Sequence, residues 1–155
     1  MYIPRRDTNS PLAVALGGRA FPGVHHRARF FVEEAGDHYA VAFRSTDGIA
    51  AVEVTGTVGA QLPSSSIFES LAESSTFFEK DSVGWSKRRP PECFDTLELH
   101  TDDWKVSAFD VDKVESSFFS DRSKFPRGTV KFDHALIMRR VAHTWQQHER
   151  VTATA

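Results

Sequence analysis

The sequence predicts an α+β fold, mainly antiparallel β, in which short strands and two or three short helices wrap around one core. Three observations carry this. Eight or so short segments alternate apolar and polar residues, turn signals such as Asp47-Gly48 separate them, and only a few stretches bear helix caps. At 155 residues the chain falls within the roughly 100 to 200 expected of a single domain, here 1–148 with a frayed tail at 149–155.

Ser10, Pro11 and Leu12 to Leu16, then Gly17 and Gly18, read as a helix of about two turns: a serine cap, proline at the first position and glycine at the stop. After the Phe21-Pro22-Gly23 turn, Val24 to Glu34 sets Val24, His26, Ala28 and Phe30 on one parity and His25, Arg27, Arg29 and Phe31 on the other, as in a half-buried strand. Gly36 and Asp37 turn the chain into a strand from His38 to Ser45, and Asp47-Gly48 forms a hairpin into Ile49 to Val58. Ser66 with Glu69 three residues on predicts a capping box for a helix through about Ser74, its apolar side made by Ile67, Phe68 and Leu71. Val83 to Ser86, Phe94 to Thr101 and Trp104 to Val111 read as strands completing the sheet, the last two joined at Asp102-Asp103. Lys113 to Phe119 suits one helical turn, Phe125-Pro126-Arg127-Gly128 a turn, and Val130 to Val141 a long final strand, although Ala135 to Arg140 also suits a helix. Pro90-Pro91 is too brief to divide domains.

Composition excludes several classes. Nineteen Lys and Arg against 21 Asp and Glu leave a net charge of −2, with no global field to gather nucleic acid or an anionic membrane. The lone Cys93 cannot close an intrachain disulfide, and Arg5, Arg6 and Asp7 occupy the place of a signal peptide's apolar run, so a cytoplasmic protein without membrane attachment is expected. The fractions of 40% apolar and 26% charged residues, with 13 Phe and 3 Trp, are those of a folded interior rather than of disorder.

Seven histidines raise a metal site, yet His25 and His26 point to opposite faces of a strand, and His134 and His143 lack H-E-x-x-H spacing, so no metal and no cofactor is expected. Ser64, Ser65 and Ser66 read as loop and cap, with no G-x-S-x-G elbow. Cys93 beside Phe94 reads as a small buried hydrophobe with a raised pKa, unsuited to attack. Neither Gly17-Gly18-Arg19 nor Phe125-Pro126-Arg127-Gly128 has the spacing of a phosphate loop. The remaining cluster is Arg19, His25, His26, Arg27 and Arg29. If the strand forms, His26 shares a face with apolar neighbours, where desolvation would keep it neutral and able to exchange a proton with a ligand carbonyl. A hydrogen-bonded core histidine with solvated arginines outside it ranks ahead of that reading, because no carboxylate stands at a fixed spacing.

The string Gly18-Arg19-Ala20-Phe21-Pro22-Gly23-Val24-His25-His26-Arg27 resembles the acetoacetate decarboxylase signature, G-R-E followed by a short run to G-x-P-K-K. Wider features resemble a sister branch of that superfamily, the YqjF-like family: Tyr2 to Thr8, Gly18 to Gly23, Ser65 to Phe68 through Phe77-Phe78, Gly84-Trp85-Ser86, Trp104, Ser116 to Phe119, and Phe132 to Arg139 followed by His143 and Trp145. The resemblance implies an acetoacetate decarboxylase-like barrel or cone enclosing a small-molecule cavity. In the decarboxylases the first lysine of the pair forms a Schiff base with a keto acid, activated by desolvation and the second cation. Those positions are His26 and Arg27 here, and the glutamate of G-R-E is Ala20, so Schiff-base decarboxylation is not expected; nothing nominates Lys80 or Lys87 as a substitute. Sister-branch members carry further strands before the equivalent of Tyr2, which leaves the fold incomplete at the N-terminus. Unpaired edges then favour a homodimer, a separately encoded partner or a truncated reading frame.

Three functions stay open. The first is a binding module for a small carboxylate or carbonyl compound, with Arg19 and Arg27 at the ligand and His26 as polar contact. A structural subunit with an aromatic-filled cavity, packed by Phe21, Phe30, Phe43 and Phe68, follows. Last comes a lyase, hydratase or isomerase with His26 as general acid or base.

Overall fold

The computed structural model describes residues 2–19, 21–80, 82–87, 93–147 and 151–152. Ala20, Pro90-Pro91, the side chain of Cys93 and most of the predicted tail lie outside the described residues. The chain is α+β and mostly strand, with two helices and a strongly curled, mixed sheet. Its contacts divide it into two compact units, 1–28 with 77–104 and 140–155, and 29–76 with 105–139.

The first unit begins with β1 (Arg6–Thr8) and α1 (Pro11–Leu16). The serine cap forms as the sequence predicts: Ser10 Oγ accepts from the Ala13 amide at 3.2 Å, Pro11 opens the first turn, and Gly17 stands at the C-cap. The strand β2 (His25–Ala35) follows; its first residues lie parallel to β1, with Arg6 opposite His25, Asp7 opposite His26 and Thr8 opposite Arg27. The division between units falls within this strand, after Ala28. The first unit also holds a four-stranded antiparallel sheet. Its central β6 (Cys93–Thr101) pairs with β5 (Val83–Lys87) on one edge and with β9 (His143–Gln147) and β10 (Val151–Thr152) along the other.

The second unit contains the meander that alternation predicts: the rest of β2, then β3 (His38–Ser45) and β4 (Ala51–Gly59). The Asp47-Gly48 hairpin closes with Ser45 and Ala50 joined by a 2.8 Å backbone bond. β7 (Ser107–Ser116) and β8 (Ala135–Ile137) extend the order to β1-β2-β3-β4-β7-β8. A bulge at Thr55/Gly56 bends β4 against β7, and only glycine fits there, because a Cβ on Gly56 would collide with the Asp110 carbonyl. Tyr39 and Phe109 meet edge to face at 6.5 Å and, with Ala108, form the unit's buried core.

Several expectations need correction. The second helix, α2 (Leu71–Lys80), starts one turn later than the Ser66/Glu69 pair predicts. The chain contains a second such pair, Ser70 and Glu73, and this one caps: the Glu73 amide donates to Ser70 Oγ at 3.1 Å, and Glu73 Oε2 accepts from the Glu69 amide at 2.8 Å. Ser66 is committed elsewhere, to Asp133. The strands β6 and β7 do not complete one sheet; they belong to different sheets. Lys113 to Ser116 continue β7, paired along β4 from Thr55 to Val52, leaving only Ser117 to Ser120 to turn. The long final strand shrinks to Ala135–Ile137, and beyond it β9 pairs with β6. Phe21 and Phe30, two of the four phenylalanines that would fill the cavity of a structural subunit, stand 40% and 43% exposed.

Candidate functional site

In the first unit, the β1/β2 register sets Arg6 and His25 on one face and Asp7 and His26 on the other. The guanidinium of Arg6 reaches β5 and β6, where Ser86 and Asp95 are paired across the ladder. Arg6 Nε donates to Ser86 Oγ at 2.9 Å. Asp95, 2% exposed, accepts the Gly23 amide at 2.8 Å, a charge-assisted bond worth about 1.5–3 kcal/mol. Gly23 makes this possible: at φ 75° it turns its amide to Asp95 and its carbonyl to His25 Nδ1, 3.1 Å away. A Cβ there would lie 2.8 Å from both Arg6 Nε and Ser86 Oγ.

Two electrostatic features follow. Arg6 Nη2 is shielded from water and has no hydrogen-bond acceptor among the described residues, and burial lowers the guanidinium pKa against a partial offset from Asp95. Burial and the neighbouring Arg6 charge push the His25 imidazole below its ordinary value, so it is neutral at pH 7. With Nδ1 donating to the Gly23 carbonyl, Nε2 carries the free lone pair. Arg6 and His25 together line an open cavity of about 290 Å³ with Ala13, Phe21, Pro22, Leu97 and Trp145. A cation, a neutral imidazole acceptor and an apolar wall are the elements of a small-carboxylate site.

The residues predicted from sequence lie around this cavity rather than in its wall. Arg19 is exposed in the turn after α1. Arg27 is exposed, and its guanidinium donates to the Asn9 carbonyl. His26 is half-buried on the face of Asp7, whose carboxylate takes both Arg5 Nε and Nη2, at 2.8 and 3.0 Å. Sequence reasoning missed Arg6, read only as a break in a signal peptide, and it ranked His26 above His25 because Val24, Ala28 and Phe30 share its parity. No local pattern announces Ser86 and Asp95, whose role depends on a ladder between distant segments.

The second unit holds another polar constellation. His134 Nδ1 donates to Asp133 Oδ2 at 2.6 Å, and Ser74 Oγ on α2 donates to His134 Nε2 at 2.7 Å. Asp133 also accepts from Ser66 Oγ at 2.7 Å and the Ile67 amide at 3.1 Å, and these bonds with that of His134 hold its carboxyl below the usual range. Phe68 stands edge-on to the imidazole at 5.3 Å. Carboxylate, imidazole and hydroxyl follow the order of an acyl-transfer triad. Ser74 is 0% exposed, however, and neither it nor His134 lines the neighbouring 550 Å³ hollow of residues 60–71, so no substrate reaches the hydroxyl. The chain of bonds is a buried tie between α2 and the segment before β8.

Among the described residues no cluster of His, Cys, Asp and Glu could hold a metal ion, and no helix is long and apolar enough to cross a membrane. No family model, curated protein or solved structure matches the chain.

Proposed function

We propose that the cavity beside β1 and β2 binds a small carboxylate, with Arg6 as the anion partner and His25 as a neutral hydrogen-bond acceptor. The observation that carries this reading is the half-buried guanidinium of Arg6 in the lining of a cavity whose other titratable lining group, among the described residues, is an uncharged imidazole. A buried cation left partly uncompensated favours an anion, and the guanidinium fork suits a carboxylate. The lone pair on His25 Nε2 favours a ligand that also presents a hydroxyl, such as a 2-hydroxy acid, over its keto counterpart. An acetoacetate decarboxylase-like fold, resting on the likeness of residues 18–27 to that signature, agrees with a small acid as ligand, while His26 and Arg27 at the lysine positions leave no Schiff-base chemistry to propose.

Calorimetric titration with lactate and with pyruvate tests the reading. Arg6→Lys keeps the charge but loses the fork, and is expected to weaken lactate by roughly 10- to 150-fold, the equivalent of one charge-assisted bond. His25→Gln is expected to narrow the preference for lactate over pyruvate. Arg19→Ala and Arg27→Ala, in the same titration, decide between Arg6 and the exposed arginines as anion partner. Unchanged binding in Arg6→Lys rejects the site.

A further inference from the structure

We infer that two copies of this chain associate by antiparallel pairing of β2 with β2, about a two-fold axis at Phe31. Within β2 the parallel partner β1 covers only His25 to Arg27, and β3 occupies one edge. Among the described residues no strand pairs with the other edge from Ala28 to Ala35, which leaves a row of backbone donors and acceptors open. The side chains on this stretch are large and bare: Phe30 is 43%, Phe31 63% and Val32 66% exposed. No proline or lysine guards it.

Charge selects the occupant. The segment reads Arg29-Phe30-Phe31-Val32-Glu33, with opposite charges placed symmetrically about Phe31. In an antiparallel pair centred on Phe31, Arg29 of each copy stands directly opposite Glu33 of the other, twice per dimer. Phe30 then faces Val32, and Phe31 faces its own copy. Arg29, Phe31 and Glu33 share one face and Phe30 and Val32 the other, so the two ion pairs flank the Phe31 pair on one face and the Phe30–Val32 pairs occupy the other, as the pleat demands. Neither Arg29 nor Glu33 has a hydrogen bond or ion pair among the described residues of the single chain. Moving the axis by one residue would oppose Glu33 to Arg27, whose edge β1 covers, if it moved to Phe30, and Arg29 to Ala35 if it moved to Val32. An edge of single-sign charge would repel its own copy; this one attracts it.

Sedimentation velocity across a concentration series tests the pairing through charge exchange. The wild type is expected to dimerise at concentrations below about 100 µM, within the range of a modest specific interface. Arg29→Glu and Glu33→Arg each place like charges opposite one another twice and are expected to raise the dimer Kd by roughly tenfold or more. The double variant Arg29→Glu/Glu33→Arg restores complementarity with the signs exchanged, and its Kd is expected to return to within about threefold of wild type. These positions are exposed, and circular dichroism checks that each variant folds. Phe31→Cys in a Cys93→Ser background reads the axis: the two Phe31 positions approach within disulfide reach, so an intermolecular disulfide is expected that Ile49→Cys, at a site 69% exposed, does not form. A wild type that stays monomeric, or single variants no weaker than the double, overturns the proposal.

Discussion

Replacing Ser74 with alanine removes a hydroxyl that is 0% exposed and donates to His134 Nε2 at 2.7 Å. The lost bond is worth about 1 kcal/mol net, and the imidazole nitrogen left behind is buried, which adds a desolvation cost of about 1 kcal/mol or more. The expected loss is therefore about 2 kcal/mol, a large share of the margin of a small protein. His134 should respond in concert, because its side chain, 6% exposed, is held at its other nitrogen by Asp133. In a double-mutant cycle with His134→Phe, removal of both partners is expected to cost at least about 1 kcal/mol less than the sum of the single losses. The assay is urea denaturation followed by far-ultraviolet circular dichroism, since Trp85, Trp104 and Trp145 all belong to the first unit and their fluorescence reports that unit alone. A Ser74→Ala loss under about 0.5 kcal/mol, or additive single changes, would refute the claim that these groups form one buried tie.

Ser70→Ala is expected to cost about 1 kcal/mol and to reduce helical signal from α2, because Ser70 and not Ser66 caps that helix; an unchanged urea midpoint would contradict the assignment. The pH dependence has a definite sign. The folded pKa of His25 lies below its unfolded value, so between the two the unfolded chain binds more protons and stability rises with pH. Stability should accordingly fall as pH is lowered from just above the ordinary histidine pKa of about 6.5 toward the folded pKa, and level off below it. His25→Gln removes this contribution, which is checked by comparing how much each protein's melting temperature drops between neutral and mildly acidic buffer; equal drops would show that burial of His25 is not coupled to folding.

Much of the fold was legible because its determinants are local. Alternation from His38 to Ser45 follows the pleat of one strand, Gly36-Asp37 and Asp47-Gly48 satisfy turn backbones by their own conformational freedom, and Ser10-Pro11 caps a helix within its first turn. Legibility failed wherever two local signals were equivalent. Ser66/Glu69 and Ser70/Glu73 are the same motif, and the choice rests on Asp133, which lies far along the chain and claims Ser66. Likewise Trp104 to Val111 and Phe94 to Thr101 look alike as strands, yet β6 and β7 pair with different neighbours.

The candidate cavity divides along the same line. Sequence by itself determined that Val24 to Glu34 runs extended and that consecutive histidines must face opposite ways, since side-chain alternation is a property of every strand. Which of the two histidines meets an arginine was decided by the parallel register of β1 on β2, and which arginine lines the cavity by the crossing of Arg6 to Ser86 and Asp95. The latter are distances between segments 80 residues or more apart, set by packing and desolvation, and no spacing within a single stretch of chain encodes them.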